Sequence, residues 1–188
     1  MKITLVRHAE VHEEYKGKYN GHIDIPLSQN GKKQAKELAK KLQHINFDKI
    51  YCSDLLRARE TLEAFDYDKK PIYTDKLREK SWGKHEGKSF DEIQDEGIKY
   101  ISFEQWINAL DGEDILSYKT KIQEYFYATI FEQTGCDNIL VITHSGVIKT
   151  LISIIKNISL EESFEISLPY SSYLTFYREK MTFLEDFS

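Results

Sequence analysis

Lys2-Ile3-Thr4-Leu5-Val6-Arg7-His8 opens the chain with an apolar run that ends abruptly on a guanidinium and an imidazole. Ile139-Leu140-Val141-Ile142-Thr143 repeats the device near the other end and delivers His144. Short, nearly continuous apolar runs of this kind read as strands buried on both faces, as in a parallel sheet covered by helices. Ligands of open α/β sheets bind at the carboxyl ends of the strands. Arg7, His8 and His144 are therefore expected at one crevice. An imidazole nucleophile beside cations suits attack on phosphorus.

The segments between these runs alternate between helical and strand patterns. Ser28 is placed to cap a helix from about Gln29, with Ala35, Leu38, Ala39 and Leu42 at helical spacing. Asp48 to Cys52 reads as a short strand, and Ser53 or Asp54 as the cap of a helix reaching Phe65. Pro71 to Thr74 reads as another strand, followed by an irregular stretch over 75–88. Short helices are expected at 89–96 and 99–109, then a long one capped by Asp114 and running to about Gln133. After 138–143 an apolar helix runs to about Ile155, and two last strands are expected near Phe164–Ser167 and Ser172–Arg178. This order predicts an α/β three-layer sandwich, a mainly parallel central sheet flanked by helices. Residues 1–188 are expected to form one domain, with 88–115 as a small helical cap insertion.

Composition narrows the function. The net charge of −5 argues against nucleic-acid and membrane-surface binding, both of which call for a basic face. An anionic ligand must then be held by a local cationic pocket. Cys52 and Cys136 form no CxxC pair, so neither a disulfide framework nor a zinc site is expected. Reduced thiols, the lack of a signal-peptide pattern and the lack of a membrane span point to a cytoplasmic protein.

Other residues suit chemistry on a phosphate. Arg57 and Arg59 lie two apart near the start of a helix, so one faces the sheet edge and the other faces away. A guanidinium offers paired donors to phosphoryl oxygens. His144 precedes a helix N-terminus and would donate a hydrogen bond as charge redistributes. A phosphomonoester leaves as an alkoxide unless protonated, which requires a carboxylic acid, and Glu79 and Glu86 both qualify by type. In Tyr19-Asn20-Gly21-His22, Asn20 supplies a neutral donor and Gly21 permits close backbone approach.

Taken together, Leu5-Val6-Arg7-His8, the stretch from Gly21 through Pro26-Leu27-Ser28 to Gln34-Ala35, Ser53-Asp54-Leu55-x-Arg57-Ala58-x-x-Thr61 and Thr143-His144-Ser145-Gly146 resemble the histidine phosphatase superfamily. Leu77-Arg78-Glu79 through Glu86-Gly87 is similar to the segment that bears the family's acid. The resemblance implies that His8 is phosphorylated and that Glu79 is the proton donor and then the base. Arg7, Arg57 and His144 would bind the phosphoryl group of a small phosphorylated substrate, with Asn20 and Gly21 helping. No metal and no cofactor are implied. The short span between Glu79 and the long helix resembles the phosphatase side of the family, and Trp82-Gly83-x-His85-Glu86-Gly87 is similar to α-ribazole-5′-phosphate phosphatases of cobalamin assembly.

The chain also departs from the pattern. Ala9 replaces a usual glycine, which tests whether that turn needs a positive φ, and Glu14 replaces a usual asparagine. Lys121 stands where an arginine is frequent. Other readings are a phosphoglycerate mutase, a protein phosphohistidine phosphatase, a phosphate-binding module with little catalysis, and a metal site built on His8 and His12.

Overall fold

The register between the two apolar runs sets the whole architecture. In a computed structural model, which describes residues 1–183, β1 (Lys2–Arg7) pairs in parallel with the strand Asn138–Thr143, with Arg7 opposite Thr143. The His8 N–H donates to the Thr143 carbonyl at 2.9 Å, so the two histidines leave the sheet side by side.

The other elements follow in chain order. α1 spans Gln29–Leu42, β2 Lys49–Ser53, α2 Leu56–Leu62 and β3 Ile72–Thr74. Next come α3 (Phe90–Asp95), α4 (Phe103–Ala109) and α5 (Ile115–Tyr125), ahead of Asn138–Thr143, which is β4. α6 (Ser145–Lys156), α7 (Leu160–Glu165), β5 (Tyr173–Tyr177) and β6 (Thr182–Phe183) complete the described chain. The sheet order is β3-β2-β4-β1-β5-β6, parallel from β3 to β1 and antiparallel at β5 and β6.

Side-chain alternation along β1 and β4 builds two cores. Ile3, Leu5, Ile139 and Val141 point to one face, where they pack with Tyr118, Ile122 and Phe126 and with Val147, Ile148 and Leu151 of α6. Val6, Leu140 and Ile142 point to the other, against Leu38 and Leu42 of α1 and Ala58 and Leu62 of α2. Helices thus cover both faces, which is why these strands are apolar throughout. α3 and α4 pack around a separate cluster of Trp82, Ile93, Trp106, Ile107 and Leu110.

Several expectations need correction. Residues 164–167 do not form a strand. Ser159 and Glu162 make a capping box that starts α7 there, a Ser-x-x-Glu signal the apolar pattern obscured. α2 stops at Leu62, short of Phe65, and neither Ser53 nor Asp54 caps it. Asp54 is spent on Arg78, at 2.7 and 2.6 Å, and the first helical N–H, that of Leu56, is capped by Asp24 from a distant loop at 2.6 Å. α4 begins at Phe103, capped by Ser102. α5 is capped by Asp114 as expected but gives way to a π-helical stretch at Phe126–Ile130, which turns Phe126 and Ile130 into the core.

Candidate active site

His8 ends β1 almost fully enclosed, with 6% of its surface exposed. Its Nδ1 lies 2.8 Å from the Ala9 carbonyl, which only accepts, so Nδ1 carries the proton and Nε2 keeps its lone pair. Burial, then Arg57 and Arg7, push the imidazole well below its ordinary value of 6.5, which keeps it neutral and nucleophilic. Ala9 is absent from the residues with positive φ, so this turn does without glycine. The Ala9 N–H is held by Thr61 Oγ1 at 2.9 Å.

Of the two arginines on α2, Arg57 faces inward. It is 1% exposed, with Nη1 donating to the Ile23 carbonyl at 2.9 Å and Nη2 to the Gly21 carbonyl at 2.7 Å. Burial brings it down to about 10, still charged at neutral pH. Arg59 faces outward and lies over the Tyr73 ring. Arg7 is gripped by the segment before β5. Its Nη1 donates to the Leu168 carbonyl and its guanidinium stacks 4.1 Å over the Tyr170 ring, while its buried Nε has no partner.

His144 caps α6 through its backbone position, and its ring centre lies 5.1 Å from that of His8. Its Nε2 is 2.8 Å from Ser53 Oγ, and its buried Nδ1 has no partner. Burial, then Arg57, His8, Arg7 and His22, lower this imidazole too. Glu79 joins the same turn, since its Oε2 accepts the Gly146 N–H at 2.9 Å. Its Oε1 is met by the Lys80 N–H at 3.0 Å and the Tyr118 hydroxyl at 3.3 Å. The structure therefore brings Arg7, His8, Arg57, Glu79 and His144 together.

Glu86, the rival carboxylate, is committed to structure. Its Oε1 accepts from the His22 N–H, the Ser81 hydroxyl and the Trp82 N–H at 2.8, 3.1 and 3.2 Å. Gly21 enters the site through its carbonyl, which orients Arg57. Its φ of +44° and a Cβ position only 2.4 Å from Glu86 Oε1 leave no room for a side chain. Asn20 donates from Nδ2 to the Tyr15 carbonyl at 2.8 Å, and its buried Oδ1 is unpartnered. Glu14 is exposed on a 3₁₀ turn. His12 is exposed beside Glu13, away from any shared helical face with His8. Among the described residues no group of three or more His, Cys, Asp or Glu side chains is arranged to hold a metal ion.

Sequence reasoning missed Tyr170 and assigned His22 no role beyond a place at the substrate mouth. Tyr170 stacks on Arg7 and lies 5.6 Å, centre to centre, from the His8 ring. His22 donates from Nε2 to the Glu79 carbonyl at 2.9 Å and so holds the backbone of Glu79. No motif announces Tyr170; the Pro169 just before it was the only local signal.

The family profile described as "Histidine phosphatase superfamily (branch 1)" matches residues 3–185. The chain belongs to the histidine phosphatase superfamily. Among curated relatives, this histidine phosphatase is 32% identical over 161 residues to the adenosylcobalamin/alpha-ribazole phosphatase of Salmonella typhimurium, an alignment covering 81% of this chain and 78% of that one. It is 26% identical over 205 residues to a 2,3-bisphosphoglycerate-dependent phosphoglycerate mutase of Methanosarcina mazei, covering 88% and 85%. The crystal structure of the alpha-ribazole phosphatase from Shigella flexneri superposes with a TM-score of 0.82 at 25% identity, covering 94% of this chain and 90% of the other. Among the described residues no helix is long and apolar enough to cross a membrane.

Proposed function

We propose that this enzyme is a metal-independent phosphomonoester hydrolase that works through a phosphohistidine. His8 Nε2 attacks phosphorus, the ester P–O bond breaks, and Glu79 gives its proton to the departing alkoxide. In the second step Glu79 takes a proton from water as the water oxygen attacks the phosphohistidine, releasing inorganic phosphate and the free imidazole. Arg7, Arg57 and His144 hold the phosphoryl oxygens while charge builds on them. Gly21 keeps Arg57 in place, whereas Asn20 spends its amide on the Tyr15 carbonyl and is given no part in holding the phosphoryl group.

One observation carries this reading. Arg7 Nε and His144 Nδ1 are both buried without a partner, and they belong to the two residues that flank His8. A buried polar atom left unpaired is costly, and a site that binds an oxyanion is where such atoms find their use. The substrate is a small phosphorylated metabolite, and α-ribazole 5′-phosphate is the one we favour, because the Salmonella relative named for it is 32% identical. α3 and α4, packed beside Trp82 and Tyr19, would form the lid that reads the leaving group.

The test is release of inorganic phosphate from α-ribazole 5′-phosphate and from 3-phosphoglycerate, with and without a chelator. Hydrolysis of the first that survives chelation supports the proposal. Isomerisation of 3-phosphoglycerate with no phosphate released would assign the chain to the mutases instead.

A further inference from the structure

The two histidines are 5.1 Å apart and buried, yet the proposed chemistry asks opposite things of them. His8 must show a lone pair to phosphorus, and His144 must show an N–H to a phosphoryl oxygen. The Ala9 carbonyl settles the first, because a carbonyl accepts only. The second turns on Ser53, whose hydroxyl is able either to give or to take.

Ser53 ends β2 with none of its surface exposed, and β2 pairs with β4 through Cys52 and Ile142, so its side chain stands beside the β4 end that carries His144. The Ser53 Oγ has two neighbours within hydrogen-bonding distance. The Leu55 N–H donates to it at 3.4 Å, and His144 Nε2 lies at 2.8 Å. A hydroxyl has one proton to give, and among the described residues Nε2 is the only acceptor in reach of it. Were Nε2 to carry the hydrogen, the Ser53 proton would be buried without an acceptor, the arrangement interiors avoid.

We infer that Ser53 is a positioning residue that fixes the tautomer of His144, donating its hydroxyl proton to Nε2 so that the imidazole carries its own hydrogen on Nδ1. Nδ1 is the buried atom left without a partner, and this tautomer makes it a donor. Neighbouring groups thus set the two rings to complementary states, His8 bare at Nε2 and His144 protonated at Nδ1. Without the hydroxyl, His144 is free to take the other tautomer and meet the phosphoryl oxygen with a lone pair. The catalytic consequence rests on the phosphohydrolase reading, whereas the tautomer does not.

The experiment is nitrogen-15 NMR of the full chain with labelled histidines, at neutral pH, on the wild type and on Ser53→Ala, alongside kcat/KM for p-nitrophenyl phosphate. The wild type should show His144 protonated at Nδ1 with an unprotonated Nε2. Ser53→Ala should shift His144 toward the Nε2–H form and lower kcat/KM about tenfold, the scale of one hydrogen bond. A wild-type His144 protonated at Nε2 overturns the assignment, as does a Ser53→Ala chain that keeps both tautomer and rate. If the wild type hydrolyses no phosphomonoester while His144 is protonated at Nδ1, the phosphohydrolase reading fails and the tautomer assignment stands.

Discussion

Tyr170 lays its ring beneath the Arg7 guanidinium, at 4.1 Å, and the same loop takes a second hold through the Leu168 carbonyl. Ser171, next along, adopts a φ of +58°, rare for a residue with a side chain, and its N–H donates to the His8 carbonyl at 3.2 Å. The loop thus makes two contacts to Arg7 and one to His8. A cation held over a ring away from water gains about 2 kcal/mol, which scales to a tenfold effect or more on binding. Tyr170→Phe keeps the ring and should leave kcat/KM within about twofold of wild type. Tyr170→Leu keeps apolar bulk but loses the π face, and inorganic phosphate should inhibit it about tenfold more weakly. Equal phosphate inhibition of the Leu variant and the wild type would remove Tyr170 from the site. At this scale the sequence announced the residues that end strands and little else. Arg7, His8 and His144 were legible because a strand carries its last side chain to a known edge. Tyr170, His22 and Ser53 were not, because their roles arise from contacts between segments distant in the chain.

α6 shows how an element can be bent to the needs of the site. Its first turn is where a helix has free N–H groups, which commonly bind an anion. The Gly146 N–H instead holds the Glu79 carboxylate, tying it to the first turn of α6, two residues from His144. A Cβ on Gly146 would lie 1.9 Å from Glu79 Oε1. Ala ordinarily favours a helix over Gly by about 1 kcal/mol, so at an unconstrained position the replacement would stabilise. Here Gly146→Ala should displace Glu79 and lower kcat about 100-fold, the usual weight of a well-placed general acid. A thermal melt should show no gain in stability. Unchanged kcat with a raised melting temperature would mean that the contact is incidental. Element types were read more reliably than element ends. The β1 and β4 patterns were unmistakable because both faces are buried. α7 was mistaken for a strand because six residues are too few for helical spacing to show, and only its Ser159–Glu162 capping box distinguished it.

At the scale of the whole molecule, a chain of net charge −5 buries the Arg57 guanidinium and the imidazoles of His8, His85 and His144. Burial, with Arg57 and Arg7 near by, depresses both His8 and His144, and burial beside Lys84 and Lys88 depresses His85 in the same direction. As pH falls past the ordinary value of 6.5, these groups take up protons in the unfolded chain before they do so in the folded one. The unfolded state then binds more protons, so stability declines as pH is lowered through this range. Each buried imidazole contributes a slope approaching about 1.4 kcal/mol per pH unit. Urea midpoints should therefore drop steadily from about pH 7 to about pH 5, and His8→Asn should flatten the decline. Midpoints that hold level or rise over that interval would contradict it. The lowered carboxyls of Asp54, paired with Arg78, and Asp48, bonded by the Asn138 and Asp137 N–H groups, give a separate loss at more acid pH, as those carboxylates take up protons.

Covalent phosphorylation of His8 is the step on which the proposed chemistry depends. The enzyme should be mixed with a phosphorus-32-labelled phosphomonoester, quenched in alkali within its first turnovers, and digested for peptide mapping. The account predicts one labelled peptide, carrying acid-labile, alkali-stable phosphate on His8, and no label in His8→Ala. Label on another residue, or a His8→Ala chain that turns over at the wild-type rate, would contradict it.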